Sequence, residues 1–174
     1  MTTAVNSDNS AKLTYKISFT AGPDLEGSFE SVSGSAVVGY SHYEGKPEGG
    51  NGPLKDQYMH EKDPEKQTIN LLANAIYARL GCQNNGQYLP AIMAQITGGS
   101  ISLYSDKGPC HSCRPIIRKF LADYPMLSFQ VRYRKTDGWG KPIPALAPAG
   151  GNLVGAYGYE DAVEVNGFWC KVLA

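Results

Sequence analysis

The sequence predicts an α/β fold, an α/β/α sandwich whose mixed central sheet is flanked by helices. Two runs with helical periodicity, one from Asp63 and one after Cys113, alternate with two strand-like runs at 100–105 and 127–133. Alternating apolar residues at Leu13, Tyr15, Ile17 and Phe19 add β structure near the N-terminus. Asn166-Gly167, set between apolar runs, is a hairpin signal near the C-terminus. At 174 residues and 42% apolar content the chain suits one domain with a sizeable core. Its expected parts are a β-rich N-terminal portion (1–59), a core (60–133) and C-terminal strands (134–174).

The elements follow in order. Residues 1–11 are small and polar and read as a frayed terminus. A first strand covers Leu13 to Phe19. Gly22-Pro23-Asp24 makes a turn, and Val37, Val38, Tyr40 and Tyr43 predict a second strand. Residues 44–57 have loop composition. The clearest helix starts at Asp63, with a favoured N-cap residue, Pro64 at the first helical position and Glu65 in the first turn. Ile69, Leu72, Ala73, Ile76 and Leu80 form its apolar face, and Gly81 stops it. A short apolar segment at 89–96 reads as another helix. A strand at 100–105 leads through Asp106-Lys107-Gly108 into a helix striped by Ile116, Ile117, Phe120 and Leu121 and closed by Pro125. Leu127, Phe129, Val131 and Tyr133 alternate as a strand, and a Gly/Pro-rich segment (138–151) precedes the hairpin.

Composition excludes some roles. Sixteen basic residues balance sixteen acidic ones, so the overall field favours no partner. Between Arg114 and Lys141, however, seven cations face only Asp123 and Asp137, which suits either a solvated basic surface or a nucleic-acid-facing patch. No apolar run reaches the ~18 residues of a membrane span, and no basic-then-apolar leader is visible, so neither a span nor a signal peptide is expected. The four cysteines, Cys82, Cys110, Cys113 and Cys170, could staple a small secreted domain, but a chain of this length does not need a disulfide framework.

The chemistry gathers at Pro109-Cys110-His111-Ser112-Cys113. C-x-x-C at a helix start can set two thiolates on one metal, because the unpaired N–H groups and the helix dipole favour thiolate there. A zinc ribbon would need a second C-x-x-C, and a thioredoxin-like redox pair would need a different element order. Zinc deaminases join such a pair to an upstream H-x-E, whose Glu moves protons without binding the metal. The literal match, His42-Tyr43-Glu44, lies on a strand-like run and cannot open a helix. Asp63-Pro64-Glu65 opens one with the same spacing, and Asp is an acceptable zinc ligand. His60 is the alternative ligand, but it would leave Lys62 at the acid/base position. Alone, Asp63 would read as a plain N-cap and Glu65 as a dipole charge.

These residues resemble the cytidine-deaminase-like superfamily, and more narrowly the deaminase domains of bacterial polymorphic toxins. The resemblance rests on Asp63-Pro-Glu-Lys-Gln-Thr-Ile-Asn-Leu-Leu-Ala, on the run from Gly99 through Gly108-Pro-Cys-His-Ser-Cys to Phe120, and on Tyr124-Pro-Met-Leu-Ser-Phe-Gln-Val. It spans roughly residues 60–133 and does not extend to 1–59 or 134–174. It implies a cytidine-deaminase-like sandwich with an extra N-terminal β segment, and a Zn2+ cofactor held by Asp63 (or His60), Cys110 and Cys113. It implies Glu65 as proton shuttle while zinc-activated water attacks C4 of cytosine. The basic stretch and its aromatics suit cytosine in single-stranded nucleic acid, DNA ahead of RNA, with Arg114, Arg132 and Arg134 as substrate contacts. A delivered effector acting in the cytoplasm of a target cell, a cognate immunity protein and no membrane partner follow from the toxin resemblance. The alternatives are a small-molecule nucleoside deaminase and a non-catalytic module with a structural metal or redox C-x-x-C.

Overall fold

The computed structural model describes residues 9–34, 41–44, 63–81, 90–109, 113–135, 158–159 and 161–173. Strands β1 (Ser10–Phe19) and β2 (Leu25–Val32) come first, followed by helix α1 (Pro64–Arg79) and the single turn α2 (Pro90–Met93). Strand β3 (Ile96–Ser105), helix α3 (Cys113–Asp123) and strand β4 (Leu127–Arg134) follow, and β5 (Val163–Val165) and β6 (Phe168–Val172) complete the order. They form a six-stranded mixed sheet in the order β2-β1-β3-β4-β6-β5. Only β3 and β4 pair in parallel, with α3 as their crossover; the other neighbours are antiparallel. The architecture is the α/β class expected from the sequence, with the added N-terminal β segment.

Periodicity explains the main elements. On β4 burial alternates strictly, with Leu127, Phe129, Val131 and Tyr133 inward. Leu13 and Ile17 of β1 and Ile101 and Leu103 of β3 point to the same side, since Leu13 pairs with Leu103 and Leu103 with Val131. The inward side chains meet α1 through Ile69, Leu72 and Ile76 and α3 through Ile116, Ile117 and Phe120. Both longer helices therefore cover one face. Among the described residues the opposite face is polar, with Lys12, Thr14, Lys16, Gln130, Arg132 and Arg134 exposed. No helix among the described residues is long and apolar enough to cross a membrane.

Several expectations shift. The chain is already a strand at Ser10, and Asn9 is bonded on both sides, so the frayed terminus does not extend to residue 11. The second strand lies at Leu25–Val32 rather than around Tyr43. Val37, Val38 and Tyr40 fall outside the described residues, and 41–44 is irregular chain docked on α1 and α3. There Asn70 acts as a strand partner would: its Oδ1 accepts from the Tyr43 N–H (2.8 Å) and its Nδ2 donates to the Tyr43 carbonyl (3.0 Å). The Tyr43 hydroxyl donates to Asp123 of α3 (2.8 Å). Residues 89–96 yield one helical turn, and β3 starts at Ile96, ahead of the Gly98-Gly99 pair. The hairpin is as expected, with Asn166 at φ 51° and Gly167 at φ 85°, a pattern suited to a type I′ turn.

Candidate active site

The N-terminus of α1 and the first turn of α3 converge at the carboxyl end of β3, the edge where parallel α/β units commonly bind ligands. Asp63 has the extended backbone of an N-cap (φ −65°, ψ 133°), yet its side chain makes no capping hydrogen bond. The carboxylate turns instead toward α3, where its Oδ2 lies 3.5 Å from Cys113 Sγ. Glu65, two residues on, is 1% exposed, and its Oε2 lies 3.9 Å from the same sulfur. Cys113 is fully buried. The spacing Asp-x-Glu thus brings both carboxylates to one thiol, across a sequence separation of fifty residues.

A buried carboxylate needs donors. Glu65 Oε1 accepts from the Ser105 hydroxyl, which is completely buried, and from Asn9 Nδ2 at 3.0 Å. Ser105 Oγ in turn accepts the Gly108 N–H (3.1 Å), and Asn9 Oδ1 accepts the Lys107 N–H (3.1 Å). The acid/base candidate is therefore wired to the β3–α3 loop that leads into Pro109 and the cysteines. Sequence reasoning did not single out Ser105 or Asn9. Ser105 carried one usable signal, a small polar residue at an inward register position of an otherwise apolar strand face.

Zinc can be tested against this donor set. A tetrahedral ion with oxygen at ~2.1 Å and thiolate sulfur at ~2.3 Å sets those two atoms roughly 3.6 Å apart. Asp63 Oδ2 and Cys113 Sγ match that separation, so these two residues fit the ion. No three His, Cys, Asp or Glu side chains among the described residues form a metal group by themselves. Cys110 and the alternative ligand His60 lie outside the described residues.

The other candidates are placed differently. Arg114, on the first turn of α3, is close enough to Tyr133 and Tyr159 to oppose the upward push that burial gives both phenols. Tyr133 and Tyr159 close this side of the site: Tyr159 N–H donates to the Tyr133 hydroxyl (2.9 Å), and Gly158 N–H donates to the Pro109 carbonyl (3.0 Å). Gly108 is required there. Its φ is +83°, and a Cβ on it would stand 2.9 Å from the Tyr133 ring. Arg132 and Arg134 project from the opposite face of the sheet. Arg132 lies over the Phe168 and Tyr104 rings (4.9 and 5.7 Å to the centroids). Arg134 pairs with Asp106 (3.3 Å) at the rim of the β3–α3 loop. His42 packs at a tilt against Tyr77 (4.5 Å between centroids) and meets Asn74 (3.2 Å), nine residues along α1 from Glu65 and so about 13 Å from it along the axis. The literal H-x-E is a docking contact.

A mixed sheet with a parallel β3-α3-β4 crossover, and a carboxylate pair facing a helix-start cysteine, is consistent with a cytidine-deaminase-like fold. Residues 54–135, just under half of the chain, match the family model described as Toxin-deaminase, the BURPS668_1122 family of deaminases. Over that stretch the chain is similar to the deaminase domains of polymorphic toxins, as the sequence resemblance has it. No curated protein and no solved structure matches the chain.

Proposed function

We propose that this chain is a zinc-dependent hydrolytic deaminase that converts cytosine to uracil in single-stranded nucleic acid, DNA ahead of RNA, as a toxin effector domain. One observation carries the reading: Asp63 forgoes capping its own helix and stands 3.5 Å from Cys113, with Glu65 beside both. A carboxylate at an N-cap would ordinarily satisfy an orphan N–H. Its rotation toward a buried thiol is what a shared cation asks for.

Asp63, Cys110 and Cys113 would hold the ion, which when bound supplies a Lewis acid that lowers the pKa of a water. Glu65 does the proton work. It accepts a proton from the attacking water and returns it to the leaving amine. The water oxygen bonds to C4, the C4–N bond breaks, and cytosine plus water becomes uracil plus ammonia. Burial keeps Glu65 in a dry setting, with Asn9 and Ser105 donating to Oε1 and Oε2 facing Cys113. Arg114, beside the tyrosine pair, is the first candidate for a substrate phosphate. Arg134 at the loop rim and Arg132 beyond it would extend the contact along a single strand. A toxin of this kind would act in the cytoplasm of a target cell, and its producer would need a cognate immunity protein.

The test combines metal analysis with product detection. Purified protein should hold one zinc, lose it in Cys113→Ala and in Asp63→Ala, and form uracil on a single-stranded oligonucleotide faster than on free cytidine. Zinc-free protein that still deaminates would overturn the metal assignment. Turnover confined to the nucleoside would overturn the nucleic-acid assignment.

A further inference from the structure

The matched family stretch begins at residue 54, yet a donor on the Glu65 carboxylate comes from residue 9. We infer that Asn9 is a positioning residue for Glu65, so that the segment entering β1 supports the catalytic site. This rests on the deaminase reading above.

The placement follows from strand register. Ala11 pairs with Ser105 in the antiparallel β1–β3 ladder, so the chain two residues earlier lies opposite Lys107. The Ser10 carbonyl accepts the Asp106 N–H (3.0 Å) and its hydroxyl donates to the Asp106 carboxylate (2.6 Å), carrying the register past the strand end. On its other side Asn9 is fixed just past the end of β2, since its carbonyl accepts the Ser33 N–H (2.8 Å). Its side chain then spans the site. Nδ2 donates to Glu65 Oε1 (3.0 Å), and Oδ1 accepts the Lys107 N–H (3.1 Å).

Only a side-chain amide does both. A flipped amide would set its oxygen against a carboxylate and its nitrogen against an N–H, so the partners fix its orientation. Aspartate could keep the Lys107 bond but would place a second carboxylate against Glu65. Leucine would satisfy neither partner. Asn9 thereby ties the rotation of the Glu65 carboxylate to the position of the loop that carries Pro109 and leads to Cys110. A proton shuttle depends on such placement, because misplacement of a reacting group by about 1 Å can cost on the order of a hundredfold in rate.

The experiment uses the full chain with single and paired substitutions. Asn9→Ala should lower kcat by about ten- to a hundredfold, the range of one hydrogen bond to a charged group, with KM and zinc content unchanged. In a Glu65→Gln background the same change should alter the residual rate by less than about twofold. Asn9→Asp, which keeps the Lys107 bond, should lose as much kcat as Asn9→Ala and serves as the second variant if alanine unfolds the protein. In metal-free protein, urea unfolding of the Asn9→Ala, Glu65→Gln and double variants should be non-additive. Full kcat in Asn9→Ala, or an equal loss in the Glu65→Gln background, overturns the inference while leaving a deaminase. If the parent protein forms no uracil, the deaminase reading fails. The unfolding cycle then decides the Asn9–Glu65 coupling alone, and additive effects reject it.

Discussion

Ser105→Ala removes one oxygen atom that serves two buried partners. The hydroxyl donates to Glu65 Oε1 and accepts the Gly108 N–H at 3.1 Å, and Ser105, Glu65 and Gly108 are all shielded from water. Alanine fits the space but offers neither function. A hydrogen bond to a charged group is worth ~1.5–3 kcal/mol, and a buried N–H left without a partner costs ~1–3 kcal/mol. Asn9 stays on Glu65 and softens the first loss, so the expected total is about 3 kcal/mol. Urea unfolding reads it directly. With a slope of about 2 kcal/mol/M for a chain of this size, the midpoint should fall by about 1.5 M with the slope unchanged. The assay belongs on metal-free protein, so that zinc binding does not enter. A midpoint shift below roughly 0.3 M would mean that the Glu65–Ser105–Gly108 chain contributes little, and the account of how Glu65 is held would be wrong.

Further outcomes follow from the same structure. Asp63→Ala should abolish zinc binding and lower the stability of metal-free protein by about 1 kcal/mol, through loss of the hydrogen bond that the Cys113 thiol donates to it; metal analysis and chelated protein in urea check both halves. Stability should fall as pH rises above about 10, because burial and the Asp123 contact raise the Tyr43 hydroxyl above its ordinary 10.0. The unfolded chain then releases that proton while the folded one keeps it, and unfolding becomes easier by up to ~1.4 kcal/mol per pH unit. Tyr43→Phe should flatten that part of the pH–stability curve, read by denaturant midpoints between pH 9 and 11.

What the sequence disclosed depended on burial. Helix α1 was legible from Asp63-Pro64 at its start to Gly81 at its stop because local chemistry sets both ends, and Gly81 does take a positive φ of 68°. β4 was legible because its alternate residues are buried without exception. β2 was not. It is an edge strand with only Ser31 buried, so no apolar alternation is imposed on it. The apolar run ending at Tyr43 looked more strand-like, but Tyr43 satisfies its backbone groups through the Asn70 side chain. The Asp63-x-Glu65 helix start and the Cys110-x-x-Cys113 motif were legible because each is a local spacing, whereas the approach of Cys113 to the two carboxylates is tertiary. Asn9 and Ser105 reach Glu65 through sheet register, which joins residues far apart in the chain and leaves no periodic trace.

The central claim is that Glu65 moves the protons of a zinc-dependent cytosine deamination. The most direct measurement follows uracil formation on a single-stranded DNA oligonucleotide, its RNA counterpart and cytidine, for the parent protein and Glu65→Ala, each with zinc quantified. Uracil is expected from the parent, fastest on single-stranded DNA, and none from Glu65→Ala at the same zinc content. Uracil from Glu65→Ala, or none from zinc-loaded parent on any of the three, contradicts the central claim.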